Sequence, residues 1–313
     1  MDGSLPSGFP AVPVFDVADV HYAYHDTPAL DGLSLSIGEG ERIVLLGANG
    51  SGKSTLLRLL DGLYFPQKGT ISAFGEPLTE ERFAEDETAL AFRRRVGFVF
   101  QNPDVQLFNP TVFDEIAFGP LQMGWPKDEV RRRVARALDE FAIAHLKDRP
   151  PHRLSGGEKK RVALASVLVL EPEVLLFDEP TTSLDPRSAS GLIDFLVTCH
   201  GSGRTAVTAT HDLDIVEDIA DRCLVLESGR VIAEGTPHAI LHDVALLKRA
   251  GLSHAHLHLH GAHAAHSHHH LHRADDERAA GHELNLPLEG RACPRLDRGS
   301  KSASDSDTDF GRG

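Results

Sequence analysis

The chain has 313 residues, of which 41% are hydrophobic, and its formal net charge is -14. This length fits one large domain or two modest ones, and the hydrophobic fraction is sufficient for a substantial core. The negative charge argues against nonspecific nucleic-acid binding, which requires a basic surface. The longest apolar runs, such as 162–170, fall well short of the roughly 20 residues that span a membrane. Any membrane role therefore requires a partner.

Residues 1–11 are rich in Gly and Pro, and we interpret them as a flexible leader. Between residues 12 and 251, short apolar runs alternate with longer amphipathic ones, and no internal repeat is present. The runs predicted as strands are 41–47, 96–100, 174–178, 205–210 and 222–229. Helices are predicted after Lys53 and within 128–141. Strands that alternate with helices predict one α/β domain with a mostly parallel sheet covered on both faces.

Residues 47–55, GANGSGKST, fit the G-x-x-x-x-G-K-[ST] pattern of a phosphate-binding loop. A predicted strand precedes the loop and a predicted helix follows it, which argues against a Gly-rich turn without function. Glycines allow backbone N–H groups to approach phosphates, and the helix places its positive dipole end at the same anion. Lys53 supplies a charge to the β- and γ-phosphates, and Ser54 supplies an oxygen to Mg²⁺. The predicted ATP-binding residues here are Gly47, Asn49, Gly50, Ser51, Gly52, Lys53, Ser54 and Thr55.

Two carboxylates follow one another at the end of the strand predicted over 174–178. Asp178 is suited to hold Mg²⁺, directly or through water, and Glu179 is suited to polarise an attacking water. Alone, the pair would equally fit an ordinary acidic turn after a strand. Together with the phosphate loop it completes a site for phosphoryl transfer.

The segment LSGGEKKR (154–161) resembles the signature motif of the ABC ATPase family. Taken singly, it would be an ordinary helix cap, but further family motifs occur in family order across roughly 12–249. The resemblance implies a P-loop NTPase fold of the ABC type, with a mixed sheet and a helical subdomain that carries the signature motif. It also implies that ATP lies between two subunits packed head to tail.

The resemblance assigns roles to residues that would otherwise be ordinary surface or structural side chains. It implies that Tyr24 stacks on adenine and that Gln101 senses the γ-phosphate and Mg²⁺. It implies that Asp185, in SLDP, belongs to the D-loop and that His211 contacts the γ-phosphate. The catalytic set so implied is Glu179, His211 and Gln101. The residues expected to meet the ATP of the other subunit are Ser155, Gly156 and Gly157.

Residues 101–124, from QNPDVQ to AFGPLQMG, resemble the ATPases of energy-coupling-factor importers, which take up cobalt, nickel and vitamins. This implies a peripheral position at the cytoplasmic face of the membrane. The implied partners are a second ATPase subunit, identical or related, an integral membrane transport component and a substrate-binding membrane component. Nucleic acid is not an expected partner. An ABC ATPase that acts on nucleic acid or ribosomes is the alternative, but such chains usually carry two cassettes or a coiled-coil insertion.

Residues 252–313 differ in composition from the rest and are predicted to be a disordered tail. The stretch 254–272 of this tail contains ten of the nineteen histidines, and neutral imidazole binds Ni²⁺ and Co²⁺. We expect this tract, and not the folded ATPase, to bind such ions, which favours cobalt or nickel over a vitamin as the substrate. A solvated low-complexity tail, a purification tag or a metal-storage protein are the alternatives. The tract histidines are His254, His256, His258, His260, His263, His266, His268, His269, His270 and His272.

Overall fold

A computed structural model describes residues 13–252 apart from 183, 185 and 200–202, and beyond them only two short strands. The strands are β1 (Phe15–Tyr24), β2 (Thr27–Ile37), β3 (Arg42–Leu46), β4 (Lys68–Ala73), β5 (Glu76–Pro77), β6 (Val96–Val99), β7 (Val174–Asp178), β8 (Thr205–Ala209), β9 (Arg222–Glu227), β10 (Arg230–Gly235), β11 (Leu257–His258) and β12 (His266–Ser267). Strands β11 and β12 pair only with each other, in antiparallel orientation.

The α-helices surround the sheets, and three short 3₁₀ segments occur in loops, at Pro103–Val105, Ala144–Leu146 and Pro151–Arg153. The α-helices are α1 (Lys53–Leu60), α2 (Glu80–Phe83), α3 (Asp86–Arg95), α4 (Val112–Gln122), α5 (Lys127–Glu140), α6 (Gly156–Leu168), α7 (Pro186–Cys199), α8 (Val216–Ile219), α9 (Pro237–Leu241) and α10 (Val244–Arg249). In the part of the chain that is described, none of these helices is long and apolar enough to cross a membrane.

The central sheet has six strands in the order β10-β9-β3-β8-β7-β6. All neighbouring pairs from β9 to β6 are parallel, and only the edge strand β10 is antiparallel. The predicted mostly parallel sheet is therefore confirmed, with strand ends within three residues of the predicted ones. The carboxyl ends of β3, β6, β7 and β8 lie at one edge, where the predicted motifs follow.

Side chains of the central strands alternate between two cores. In β3, Ile43 and Leu45 pack with α1 and the strands β1 and β2. Val44 and Leu46 face the other way and pack with the helices α4 to α8. The sheet is thus covered on both faces, as a buried parallel sheet requires.

A second, antiparallel sheet in the order β2-β1-β4-β5 was not among the predicted strands. In β1, Phe15, Val17 and Val20 are buried, but the register shifts between Val17 and Val20. Such a bulge interrupts the period-two alternation that identifies a half-buried strand in a sequence.

A helical subdomain lies between β6 and β7 in the chain and includes α4, α5 and α6. The three helices pack together through side chains such as Ile116, Val134 and Val162, which are fully buried. The predicted subdomain that carries the signature motif is therefore present, and it holds the start of α6 at the surface.

Candidate functional site

The predicted phosphate loop connects β3 to α1 and depends on glycine at two positions. Gly52, the N-cap of α1, has a φ of 107°, and a Cβ there would lie 2.7 Å from Ala29 O. A Cβ on Gly47 would lie 2.3 Å from Leu226 O. Only glycine therefore fits at these two positions, and the loop is held close to the end of β9.

Lys53 begins α1 and is almost fully buried within this loop. Its Nζ donates hydrogen bonds to Gly47 O at 2.6 Å and Ala48 O at 3.2 Å. Burial lowers the pKa of Lys53, whereas the charges of Glu179 and Asp178 oppose that shift. The ammonium is thus fixed at the positive end of a helix, where an anion would find both charge and free N–H groups.

Asp178 ends β7 beside the start of α1. Ser54 Oγ donates a hydrogen bond to Asp178 Oδ1 at 2.8 Å. Burial raises the pKa of Asp178, and the hydrogen bond from Ser54 opposes this shift together with the charges of Arg58 and Lys53. A hydroxyl and a carboxylate side by side supply the hard oxygen ligands that Mg²⁺ prefers, so these two residues fit the ion.

Glu179 follows Asp178 with a φ of 45°, an uncommon conformation for a residue with a side chain. Its N–H donates to Ala209 O at 2.9 Å, which fixes the turn against the end of β8. The side chain Oε2 lies 2.9 Å from His211 Nδ1 and 3.4 Å from Thr182 Oγ1. The strained backbone and this hydrogen bond fix the orientation of the Glu179 carboxylate. Strained residues held in this way are common at functional sites.

Two buried oxygens of this region, Ser51 Oγ and Glu179 Oε1, have no hydrogen-bond partner among the described residues. Buried polar atoms without partners are rare in folded proteins and usually mark a place for a ligand or water. The His211 side chain is 53% exposed and that of Glu179 only 7% exposed, so the histidine lies at the mouth of the site. The arrangement fits a polyanion with a bound cation, entering from solvent.

Two further predicted residues lie at the margin of this cluster. The Tyr24 hydroxyl is 3.4 Å from Thr55 Oγ1 and accepts a hydrogen bond from Arg58 Nη1 at 3.2 Å. Its ring makes edge contacts with Tyr22 and Tyr64. Gln101 is exposed and follows β6, which is the neighbour of β7 in the sheet.

The signature segment 155–157 behaves differently from the phosphate loop. Ser155 caps α6 by accepting from Glu158 N, and Glu158 Oε2 accepts from Ser155 N at 2.7 Å, which completes a capping box. Among the hydrogen bonds of the described residues, none joins 155–157 to 47–55. Ser155 and Gly156 are exposed. The start of α6 is therefore presented to solvent.

Some predicted site residues lie outside the described part of the chain. They are the D-loop residue Asp185 and, in the tail, His254, His256, His260, His263, His268, His269, His270 and His272. His258 and His266 belong to the paired strands β11 and β12, and only their backbone is described.

The family model of the ABC transporter matches residues 30–182. A nickel import ATP-binding protein of Rhodobacter capsulatus is 60% identical over 77% of this chain and 96% of its own length. The chain belongs to the ABC transporter ATP-binding family. An energy-coupling factor transporter ATP-binding protein of Methanothermobacter thermautotrophicus is 45% identical over 76% of each chain.

A solved structure agrees with this assignment. The cbiO1 protein of Clostridium perfringens, part of the ABC transporter complex cbiONQ, has a TM-score of 0.65 and 40% identity over 77% of this chain and 95% of that chain. This ABC ATPase is therefore an ATP-hydrolysing subunit of an importer of the energy-coupling-factor or nickel and cobalt type. Membership implies ATP and Mg²⁺ as ligands, a second ATPase subunit and a membrane transport component.

Sequence analysis missed several residues that organise the site of this ABC ATPase. Lys160 Nζ donates to Phe100 O at 2.9 Å and Gln101 O at 3.3 Å, so α6 holds the backbone of the segment around Gln101, called the Q-loop below. Lys159 Nζ lies 2.6 Å from Asp104 Oδ1 and adds a second link. The only signal was the pair of lysines within EKKR, and a pair of lysines on a helix usually faces solvent.

Proposed function

We propose that this chain is the ATPase of an energy-coupling-factor importer for nickel or cobalt ions, with nickel as the first candidate. The observation that carries the substrate is the 60% identity to a nickel import ATP-binding protein over 96% of that protein. The ten histidines of the tract give independent support, because they offer ligands for the same ions.

The proposed roles within the nucleotide site follow from its contacts. Lys53 binds the β- and γ-phosphates together with the N–H groups of 49–55. Ser54 and Asp178 hold Mg²⁺, which when bound supplies positive charge against the phosphates. The hydrogen bond between Ser54 and Asp178 supports this pairing, because it shows that the two oxygens are close enough to bind the same ion.

We assign Glu179 to orienting and polarising the attacking water, with its free Oε1 as the acceptor. His211 holds the other oxygen of Glu179 and, from its exposed position, reaches the γ-phosphate. Gln101 completes the catalytic set from the end of β6. Catalysis of this kind depends mostly on positioning and charge.

The nucleotide site is completed by a second ATPase subunit in this proposal. Ser155, Gly156 and Gly157 of one subunit bind the γ-phosphate held by Lys53 of the other. The exposed start of α6 supports this arrangement, because it makes no hydrogen bond to its own phosphate loop among the described residues. Tyr24 stacks on adenine, and Asp185 contributes from the D-loop.

An apolar surface formed by side chains that follow Gln101 in the chain supports docking of the membrane transport component. It consists of Val105, Phe108, Phe118 and Leu121, which are 67%, 67%, 39% and 50% exposed. Phe108 and Phe118 contact edge to face, with ring centroids 5.0 Å apart. Buried Glu115 fixes this surface, because its Oε2 accepts from Phe108 N and Asn109 N at 2.9 and 2.7 Å. Exposed apolar patches of this kind mark protein interfaces.

Uptake by the reconstituted importer tests the substrate. The chain is reconstituted in vesicles with its membrane components, and ATP is supplied on the side of the membrane where the ATPase lies. Uptake of Ni²⁺, Co²⁺, biotin and riboflavin is then measured. We expect ATP-dependent uptake of Ni²⁺ or Co²⁺, which Glu179→Gln abolishes. ATP-dependent uptake of a vitamin alone would overturn the metal assignment and leave the ATPase assignment intact.

A further inference from the structure

Three exposed side chains face one another far along the chain from the phosphate loop. Glu217 lies on α8, His238 lies on α9 and His242 directly follows α9. Their ligand atoms all lie within 4.8 Å of one another. Glu217 Oε1 is 3.7 Å from His238 Nδ1, and the two imidazole centroids are 4.0 Å apart. The cluster therefore combines two imidazoles and one carboxylate at a single point.

The local sequence holds the two histidines in register. They are four residues apart, a spacing that places side chains on the same face of a helix. Thr236 caps α9 by accepting from Ala239 N, and Ile240 anchors the helix in the core. The backbone that carries the cluster is thus fixed, while the side chains remain accessible to solvent.

His242 is also oriented by the backbone. Its Nδ1 lies 2.8 Å from His238 O. When Nδ1–H donates to this carbonyl, the neutral ring keeps the lone pair on Nε2 for a ligand. A metal-binding histidine is usually oriented by such a bond from its other nitrogen. Neighbouring Asp243 is already engaged, because its side chain accepts from Leu246 N at the start of α10.

We propose that Glu217, His238 and His242 form a transition-metal site on the folded ATPase domain, separate from the histidine tract. Two imidazoles and one carboxylate suit Ni²⁺, Co²⁺, Zn²⁺ and Cu²⁺, whereas Mg²⁺ and Ca²⁺ prefer all-oxygen sites. Our expectation from the sequence placed metal binding in the tract alone, so this site changes that expectation. It does not depend on which substrate the importer carries.

A simple ion pair explains the cluster less well. Glu217 can pair with one protonated histidine, but two protonated imidazoles at this separation would repel each other. A shared metal ion requires both rings to be neutral and uses all three side chains. Because Glu217 and the histidines belong to different helices, the bound ion would join α8 to α9.

The test uses the full chain with the ten tract histidines replaced by Asn, so that the tract no longer competes. Calorimetric titration with NiCl₂ is expected to show one ion per chain. His238→Ala and His242→Ala should each lower the affinity at least about tenfold, since even loss of an outer-shell partner costs about 10- to 100-fold. Ni²⁺ should also raise the Tm of the parent protein, and this rise should be lost in both variants.

Exposed histidines elsewhere on the domain provide the matched control. His145→Ala with His152→Ala removes two exposed imidazoles from the segment between α5 and α6, outside the proposed cluster, and Ni²⁺ affinity should stay unchanged. Glu217→Gln keeps the shape but loses the charge, and should also weaken binding. Absence of Ni²⁺ binding in the tract-substituted chain, or equal affinity in His238→Ala and the control, would overturn the proposal.

Discussion

The phosphate loop and the signature segment are both helix starts, yet they differ in what surrounds them. At the first, Lys53 is buried next to two carboxylates, and buried oxygens remain without partners among the described residues. At the second, Ser155 is exposed and satisfied by its own capping box. The phosphate loop thus keeps buried charged and unpaired groups, whereas the signature segment satisfies its own cap and stays exposed. In the function proposed above, the exposed segment meets the ATP bound by a second ATPase subunit.

The two regions are nevertheless linked within the chain. Buried Lys160, on the signature helix, binds the carbonyls of Phe100 and Gln101 at the end of β6. β6 pairs with β7, which carries Asp178. We therefore expect a movement of the signature helix to shift the backbone at Phe100 and Gln101 as well.

The largest expected effect is on ATP turnover, from a substitution beside the phosphate loop. Glu179→Gln should lower ATP turnover by about 10²- to 10⁴-fold, the usual contribution of a general base, while ATP binding remains. Steady-state hydrolysis and gel filtration with ATP check this, because an ATP-bound dimer should accumulate. Glu173→Gln, directly before the start of the same strand, is the control and should hydrolyse ATP normally. Wild-type turnover in Glu179→Gln would remove Glu179 from its role.

Substitutions in the phosphate loop and in the signature segment should separate ATP binding from ATP-driven dimerisation. Lys53→Ala should lower ATP affinity of the single subunit about 10- to 100-fold, because charge-assisted hydrogen bonds to the phosphates are lost. Ser155→Arg should leave that affinity unchanged and block ATP-driven dimerisation. Fluorescent-nucleotide titration and analytical ultracentrifugation measure the two properties.

Ser155→Arg removes both the cap of α6 and the proposed contact with the ATP of the other subunit, and a matched control separates these two effects. Thr79 caps α2 in the same way, by accepting from Arg82 N, and lies outside the signature segment. Thr79→Arg should lose a similar cap of roughly 1 kcal/mol and still dimerise with ATP. Equal loss of nucleotide binding in Lys53→Ala and Ser155→Arg would contradict a site shared between subunits.

A smaller effect on ATP turnover is expected from Lys160, which links the signature helix to the Q-loop. Lys160→Met removes the donor to both carbonyls and should lower turnover by about threefold to tenfold, since each carbonyl bond is worth roughly 0.5–1.5 kcal/mol. Lys160→Gln keeps an N–H donor without the charge and should restore most of the activity. If both variants hydrolyse ATP like the wild type, the link does not position the Q-loop.

The same lysine gives a pH prediction. Burial lowers the pKa of Lys160 to about 8, below the ordinary lysine value near 10.4. Between these two pH values the unfolded chain binds more protons than the folded one, so the free energy of unfolding rises with pH. Urea unfolding of the wild type at pH 7, 8, 9 and 10 should show this rise relative to Lys160→Met. A difference that stays constant with pH would contradict the lowered pKa.

Much of the nucleotide site could be predicted from local sequence. The continuous apolar runs that became β3, β6, β7 and β8 place their following loops at one edge of a parallel sheet. The phosphate loop and the acidic strand end predicted Ser54 and Glu179 in one site, and the family resemblance added His211; Glu179 lies 2.9 Å from His211 Nδ1. Their assigned roles remain proposals.

The residues that were missed depend on distant contacts. The spacing of Lys160 on α6 does not reveal that it is buried against Phe100, which lies 60 residues earlier. Similarly, Glu217 and His238 are brought together only because α8 and α9 pack on each other. The spacing of His238 and His242 was visible in the sequence, and it could have suggested a helical pair.

The smallest expected effect on ATP binding and hydrolysis is that of the histidine tract. Replacing its ten histidines with Asn should leave ATP affinity and turnover unchanged, because every ATPase motif lies upstream of residue 252. Most Ni²⁺ and Co²⁺ binding should disappear, since only nine of the nineteen histidines remain, and among them only the proposed site at His238 and His242 should still hold an ion. In the unmodified chain, metal binding should weaken between about pH 7.5 and 5.5, because imidazoles, with an ordinary pKa of about 6.5, must be neutral to bind. Calorimetry at three pH values measures this. Unchanged metal stoichiometry after the replacement would exclude the tract as a binding site.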